Sequence, residues 1–474
     1  MDMKLKKIIS KFGEVHWLFA VIAMVFGISL VFLTPPLWGA DESVHVFRAY
    51  QISEGRLNQD EQVINGKKSY SGYTPSSFVK LSNLFSRDIN NNLGDARQVD
   101  DVSEYIKIGS VTISKDTKVA NPLGAVTYPA ISYLAPSLGM MVANPFNPTA
   151  LVLLYSARLA TLFMYILLVS LSILLIKNKS AKWIIFVAAL LPTCLYQSSV
   201  VNVDSLLFAL GFVLFSLTYN LIYENKNRGK YYMILLLLSA GLLTLIKPPY
   251  VILILPLVLL PMGNKTTVTT RKIVRYVIPA VCLIIAVVGT ISVQRIISTP
   301  LPYTSLAGQL HWILSNPFGY IATIARTVVM INWPPLIIGT FGSSFILMPW
   351  LVVDSLMLIL VATAFIKISA NHNEDREETQ HTKLSGLMFI LASALTCLAV
   401  ATTLFLTWTH IGGYLVEGIQ GRYFIPAICF VLLGLRMITK TRLVVSEKNA
   451  KIFFASVTTL CLMCSVLWYY KILY

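Results

Sequence analysis

Asp41, Glu42, His45 and Arg48 fall within eight residues of one another in the stretch PPLWGADESVHVFRAYQ, residues 35–51. Two carboxylates can take protons from hydroxyls or hold a cation. An imidazole and a guanidinium beside them suit a phosphate. Pro35 and Pro36 end the preceding apolar run and Gly39 allows a turn, so a helix is expected from about Asp41. On that helix positions 41, 45 and 48 lie within roughly 60° of one another. Asp41, His45 and Arg48 then share one face, and Val46, Phe47 and Tyr50 turn the other way. A plainer reading makes Asp41 an N-cap, sets Glu42 against the helix dipole and points Arg48 at lipid phosphates. It leaves the acid pair, the histidine and the arginine together unexplained.

Isolated charges elsewhere sit in comparable places. Lys247 lies in LIKPPY and Arg422 in EGIQGRYFIP, each at the edge of an apolar run. Arg158 and Asp354 lie within apolar runs, where charge is costly and often functional. Asp204 closes the short stretch VVNVD, and Arg295, His311 and Arg326 belong to a stretch near residue 300. For Asp204 and Lys247 taken singly, capping or snorkelling is an equal alternative; Tyr128 in TYPAISY reads as packing. If the acids and the cations converge, a lipid-bound sugar phosphate fits them. Cations hold the phosphate as it leaves, and a carboxylate takes the proton of the attacking hydroxyl. If Asp41 and Glu42 both point inward, they could instead hold a divalent ion such as Mg2+ or Mn2+.

The elements that must position these groups follow from composition. Of 474 residues, 56% are hydrophobic and 13% charged, about half the charge of a soluble domain, and several runs exceed the roughly 18 apolar residues of a spanning helix. The expected fold is an all-α polytopic membrane protein of about eleven transmembrane helices. They are placed at 16–34, 150–176, 182–201, 203–223, 231–247, 249–263, 275–294, 344–368, 384–408, 423–439 and 452–471. The net charge of +16 resides in short basic links such as 177–182, 224–230, 263–272 and 436–442, as the positive-inside rule expects, and not in a nucleic-acid-binding stripe. This puts the N-terminus, with Lys4, Lys6, Lys7 and Lys11, in the cytoplasm, together with the mixed link 371–383. The chain then reads as a single 1–474 domain with three extracytoplasmic segments, 35–149, 295–343 and 409–422. The first holds eleven of the 22 acidic residues and reads as short interfacial helices and loops. Within it, 121–146 is apolar but proline-broken, so it reads as an interfacial or re-entrant piece. Residues 317–332 read as a helix lying at the interface. All six cysteines lie in apolar runs, which argues against a disulfide framework; Cys461 and Cys464, despite their spacing, read as packing.

PPLWGADESVHVFRAYQISEG, YPAISYLAP, LPTCLYQSSVVNVDSL, LIKPPYVILILP and EGIQGRYFIP, in that order, resemble domain-of-unknown-function family 2142, bacterial membrane proteins placed among the GT-C glycosyltransferases. The resemblance implies a GT-C-like bundle with a large first extracytoplasmic loop. It implies a polyprenyl-phosphate sugar donor, a cell-surface glycan acceptor and a plasma-membrane location with the active site outside. An acidic residue early in the first loop then acts as inverting general base, by position Asp41 with Glu42 beside it. Lys247 and Arg422 are placed as donor phosphate ligands with His45 and Arg48 assisting, and Arg158, Asp204 and Arg326 as additional candidates. No second acidic motif for a metal is evident, so metal dependence stays open. Two other functions remain: a lipid-linked sugar flippase, for which Arg158 and Asp354 are the suggestive pair, and a polysaccharide polymerase or ligase, which the 295–343 stretch would suit.

Overall fold

A helix that is apolar on every face has to be surrounded by protein or by lipid. Asp204–Tyr223 is surrounded by protein: 94% of its most apolar stretch is buried, and it forms the axis of the bundle. Val268–Ser292 is similarly apolar but only 22% buried, so it stands at the periphery with Leu283, Ile284 and Val288 exposed. The structure, a computed structural model, describes residues 14–474 except 65–66, 92–98, 114–115, 121–124, 126, 225–227, 263–265, 297–303, 343–345, 369–382 and 440–441. Lys4, Lys6, Lys7, Lys11, nearly all of the 371–383 link and the side chain of Arg295 lie outside the described residues.

Among the described residues seven helices are long and apolar enough to cross a membrane: Val15–Leu33, Ala150–Leu175, Asp204–Tyr223, Val268–Ser292, Lys383–Thr407, Gly421–Ile438 and Glu447–Leu473. Lys179–Ala189 and Pro192–Ser198 form one further crossing if taken as a pair, bent by 65° where Pro192 interrupts the ladder. Lys230–Ile246, Pro248–Leu259 and Trp350–Phe365 are shorter apolar helices. Each of the eleven apolar runs expected from sequence thus contains helix, but four of them fall short of a continuous spanning length.

Hydrogen bonds gather the helix ends into two groups. At one end the Tyr474 hydroxyl donates to the Leu33 carbonyl (2.9 Å), Trp468 Nε1 to Leu347 (3.1 Å) and the Val99 amide to Leu473 (3.1 Å). At the other end Lys179 pairs with Glu447 (2.7 Å), Asn220 Nδ2 donates to Leu175 (2.9 Å) and Arg436 Nη1 to Ile366 (2.6 Å). There Ile366–Ile368 pairs in parallel with Leu443–Val445. The basic links 177–182 and 436–442 therefore share the end opposite to the first loop.

The first loop is not all helix and coil. Strands Asp60–Ile64, Lys67–Pro75 and Asp116–Ala120 form a three-stranded antiparallel sheet, with Asp60 opposite Ser71 and Ser71 opposite Ala120. This corrects the expectation of helices and loops alone, because polar, short strands carry little hydrophobic alternation. Ser76–Asn91 and Val102–Gly109 supply the helical part. The proline-broken segment resolves into a 3-10 turn, Ala130–Tyr133, and a ten-residue helix, Leu134–Ala143, which at about 1.5 Å per residue is too short to span. It lies along Ala150–Leu175 at close range, since a Cβ on Gly139 would stand 2.3 Å from the Ser156 carbonyl. Pro317–Met330 is helical as expected, with Phe318 and Val329 fully outward, and Thr323 and Thr327 bind it to the 409–417 loop.

Candidate functional site

The turn after the first helix is held in a strained shape. Leu37 and Asp41 both adopt the left-handed region, at φ 67° and 53°. A branched residue such as leucine rarely does so, and the cost is roughly 1–2 kcal/mol. Burial of Leu37 and a buried ion pair hold the turn. Glu42 and Arg158 are both fully buried and meet through two hydrogen bonds, Nε to Oε1 at 2.7 Å and Nη2 to Oε2 at 2.6 Å. Arg158 also donates to the carbonyls of Val31, Thr34 and Pro35, the open C-terminal end of the first helix. Glu42 accepts in turn from the amides of Gly39 and Val201, each at 3.0 Å.

Glu42 therefore cannot serve as expected. All its acceptor directions point to protein, so neither a catalytic carboxylate nor a two-carboxylate metal site with Asp41 fits these residues. Among the described residues no group of three or more His, Cys, Asp and Glu is arranged to hold a metal ion. Arg158 likewise pairs with Glu42 and not with Asp354, which is exposed on the Trp350–Phe365 helix.

Asp41 faces elsewhere. The helix begins at Glu42, and the Asp41 side chain makes no capping bond, so the plain capping reading does not describe it. Its carboxylate is 61% exposed and accepts from Arg422 Nη2 at 3.3 Å. Arg422, only 6% exposed, also brings Nε to 3.0 Å of Asp204 Oδ2, off the hydrogen-bonding direction. The other oxygen of Asp204 accepts from Lys247 Nζ at 3.1 Å. Lys247 stands 4.0 Å from the Tyr423 ring centroid. Four residues distant in sequence thus form one chain, Asp41–Arg422–Asp204–Lys247, open to solvent at Asp41 and closed at Asp204.

Local structure explains each placement. Pro248 and Pro249 stop the Lys230–Ile246 helix and leave Lys247 extended at its end. Asp204 opens its helix where a carboxylate meets the N-terminal dipole. Gly421 permits Arg422 to approach, because a Cβ there would stand 2.3 Å from the Leu336 backbone. The loop leading to it is pinned by the fully buried Gln309, whose Nε2 donates to the carbonyls of Phe405, Thr409 and His410.

His45, Arg48 and Arg326 divide. His45 is buried beside the chain, sharing a 2.9 Å hydrogen bond with the Tyr133 hydroxyl. Arg48 turns away: its guanidinium donates to the carbonyls of Arg56 (3.1 Å) and Leu57, securing the chain reversal after its own helix, so the expected phosphate role does not fit. Arg326 lies over the Tyr414 ring at 4.3 Å, joining the 295–343 and 409–422 stretches, with no described contact to the four-residue chain.

Sequence reasoning missed the aromatic wall. Tyr128 is half-buried, its ring 6.0 Å from His45, and the charges of Lys247 and Asp204 both act on its phenol, whose titration burial pushes well up. Its only signal was the pair of prolines at 129 and 136.

Burial lowers the titration of His45 to about 4; Asp41 and Asp204 oppose this, and Arg422 and Lys247 reinforce it. The unfolded chain then binds the proton more readily between pH 6.5 and about 4. His45 thus contributes stability that is complete above 6.5 and lost as pH falls through that window. The thermal midpoint of the purified protein should fall more steeply from pH 7 to 4.5 than that of His45→Gln; equal slopes would refute this.

A family model described as "Predicted membrane protein (DUF2142)" matches residues 24–431. No curated protein and no solved structure matches the chain.

Proposed function

We propose, for a chain that belongs to the DUF2142 family of predicted membrane proteins, a glycosyltransferase that takes a sugar from a polyprenyl-phosphate carrier and passes it to a cell-surface glycan. The observation that carries this reading is the Asp41–Arg422–Asp204–Lys247 chain, a solvent-open carboxylate bonded to the buried Arg422, with the half-buried Lys247 beyond it. A solvent-open carboxylate beside phosphate-binding cations is what such a transfer needs. An acceptor hydroxyl attacks the anomeric carbon while the Asp41 carboxylate takes its proton. The bond from that carbon to the phosphate oxygen breaks, its electron pair staying on the phosphate beside Arg422 and Lys247. Attack opposite the leaving group inverts the anomeric centre. Asp204 keeps both cations in place between turnovers.

The site lies at the end of the bundle opposite the basic links, which under the positive-inside rule supports a site on the outer face of the plasma membrane with the N-terminus in the cytoplasm. Eleven crossings follow if the bent pair and the three shorter helices each span.

The test is transfer from a synthetic polyprenyl-phosphate sugar by the full chain in nanodiscs. Lys247→Met removes one charge-assisted contact worth about 1.5–3 kcal/mol, so donor affinity should fall roughly 10- to 100-fold. Asp204 loses its hydrogen bond from Lys247 but keeps Arg422 as counter-ion, so the thermal midpoint should fall by less than it does when the Glu42–Arg158 pair is broken. An unchanged donor KM in a folded Lys247→Met protein would remove Lys247 from the site. Movement of the lipid-linked sugar across a vesicle bilayer without transfer would favour a flippase instead.

A further inference from the structure

The two cations and two carboxylates of the chain balance to zero before anything binds. His45, the remaining titratable base against it, is held neutral near pH 7 by burial. Burial pushes the phenols of Tyr128 and Tyr133, which pack against His45, well up, so both are neutral as well. A bound ligand therefore brings the only net charge, and no spare cation among these groups answers a second one.

Building on the donor reading, we propose that the site takes a ligand with one negative charge and an uncharged ring: a phosphodiester on Arg422 and Lys247, with a neutral sugar seated against Tyr128. A diphosphate link or a uronic acid sugar would add a second charge to a group of side chains that are mostly buried, where an unpaired charge is strongly disfavoured. The reaction keeps the same balance. A phosphodiester carries one charge, and the carrier phosphate released carries close to two. The added charge appears as Asp41 becomes neutral by taking the acceptor proton. The total over chain and phosphate is unchanged at every stage, because base and leaving group are joined through Arg422. Tyr128 supplies the flat apolar surface for the ring, just ahead of the Leu134–Ala143 helix that packs closely at Gly139.

Competition binding to the full chain in nanodiscs tests this with four probes: polyprenyl phosphate esterified with glucose, the same with glucuronic acid, polyprenyl diphosphate glucose, and polyprenyl methyl phosphate. The glucosyl phosphodiester should bind at least tenfold tighter than either doubly charged probe. Tyr128→Ala should weaken the glucosyl probe at least fivefold and leave the methyl diester within twofold, while Tyr128→Phe, which keeps the ring, should leave both near wild type. Equal or tighter binding of a doubly charged probe overturns the inference while the donor reading stands. Equal weakening of the glucosyl and methyl probes by Tyr128→Ala does the same. Failure of all four probes to bind a folded protein overturns both.

Discussion

Asp41→Asn should reduce sugar transfer by about two to four orders of magnitude, the usual contribution of a general base, with little change in folding. Asparagine is the informative replacement for a structural reason. Asp41 sits at φ 53°, a region asparagine also tolerates, whereas alanine would add roughly 1–2 kcal/mol of backbone strain to any chemical effect. The side chain caps nothing, so no helix-end bond is lost. The pair with Arg422 does weaken, but at 61% exposure of the carboxylate its contribution is about 1 kcal/mol or less. Donor binding should persist, because Arg422 keeps Asp204 as its partner. The measurement is single-turnover transfer from a polyprenyl-phosphate sugar beside a thermal midpoint. Retention of more than a tenth of wild-type transfer in a folded Asp41→Asn protein would falsify the base assignment.

Much of this site was legible as separate charges and little of it as contacts. Lys247 and Arg422 stood out because a cation at the edge of an apolar run needs a reason, and both lie at the helix ends that the structure gathers together. Asp204 was ambiguous alone, and it resolves only because the Lys230–Ile246 and Ile425–Ile438 helices flank the axial helix. Partner choice was beyond the sequence. Arg158 had Asp354 as its evident counterpart inside an apolar run, yet it meets Glu42, 116 positions earlier, because the first helix and Ala150–Leu175 pack side by side. Helical spacing put Asp41, His45 and Arg48 on one face, but Asp41 precedes the helix in a left-handed turn and Arg48 is one turn further on than His45, where its long side chain reaches the carbonyls after Gly55 instead. The sheet in the first loop had a readable sign in the sequence, the dipeptide Asn-Gly at 65–66, a pair that favours two-residue hairpin turns. The flanking strands were too polar to reinforce that sign.

Breaking the Glu42–Arg158 pair from either side should cost about 3–5 kcal/mol, the largest stability effect expected in the molecule, because each change strands a buried charge. Glu42→Leu leaves a guanidinium with no counter-ion, and Arg158→Leu leaves a carboxylate with two backbone amides but no cation. The double replacement removes both charges and should recover most of the loss. Recovery should stop short of wild type, since the carbonyls of Val31, Thr34 and Pro35 lose their donor and the amides of Gly39 and Val201 their acceptor. Thermal midpoints of the four proteins in detergent form the cycle, and strictly additive losses would show that the pair is not coupled. The double variant should also lose transfer although it folds. Glu42 adjoins the left-handed Asp41, and its bond to Val201 fixes the strand of chain that enters Asp204 three residues later. The base and the carboxylate that orders the two cations are thus held to one anchor, so a bundle that survives without the ion pair no longer holds them in register.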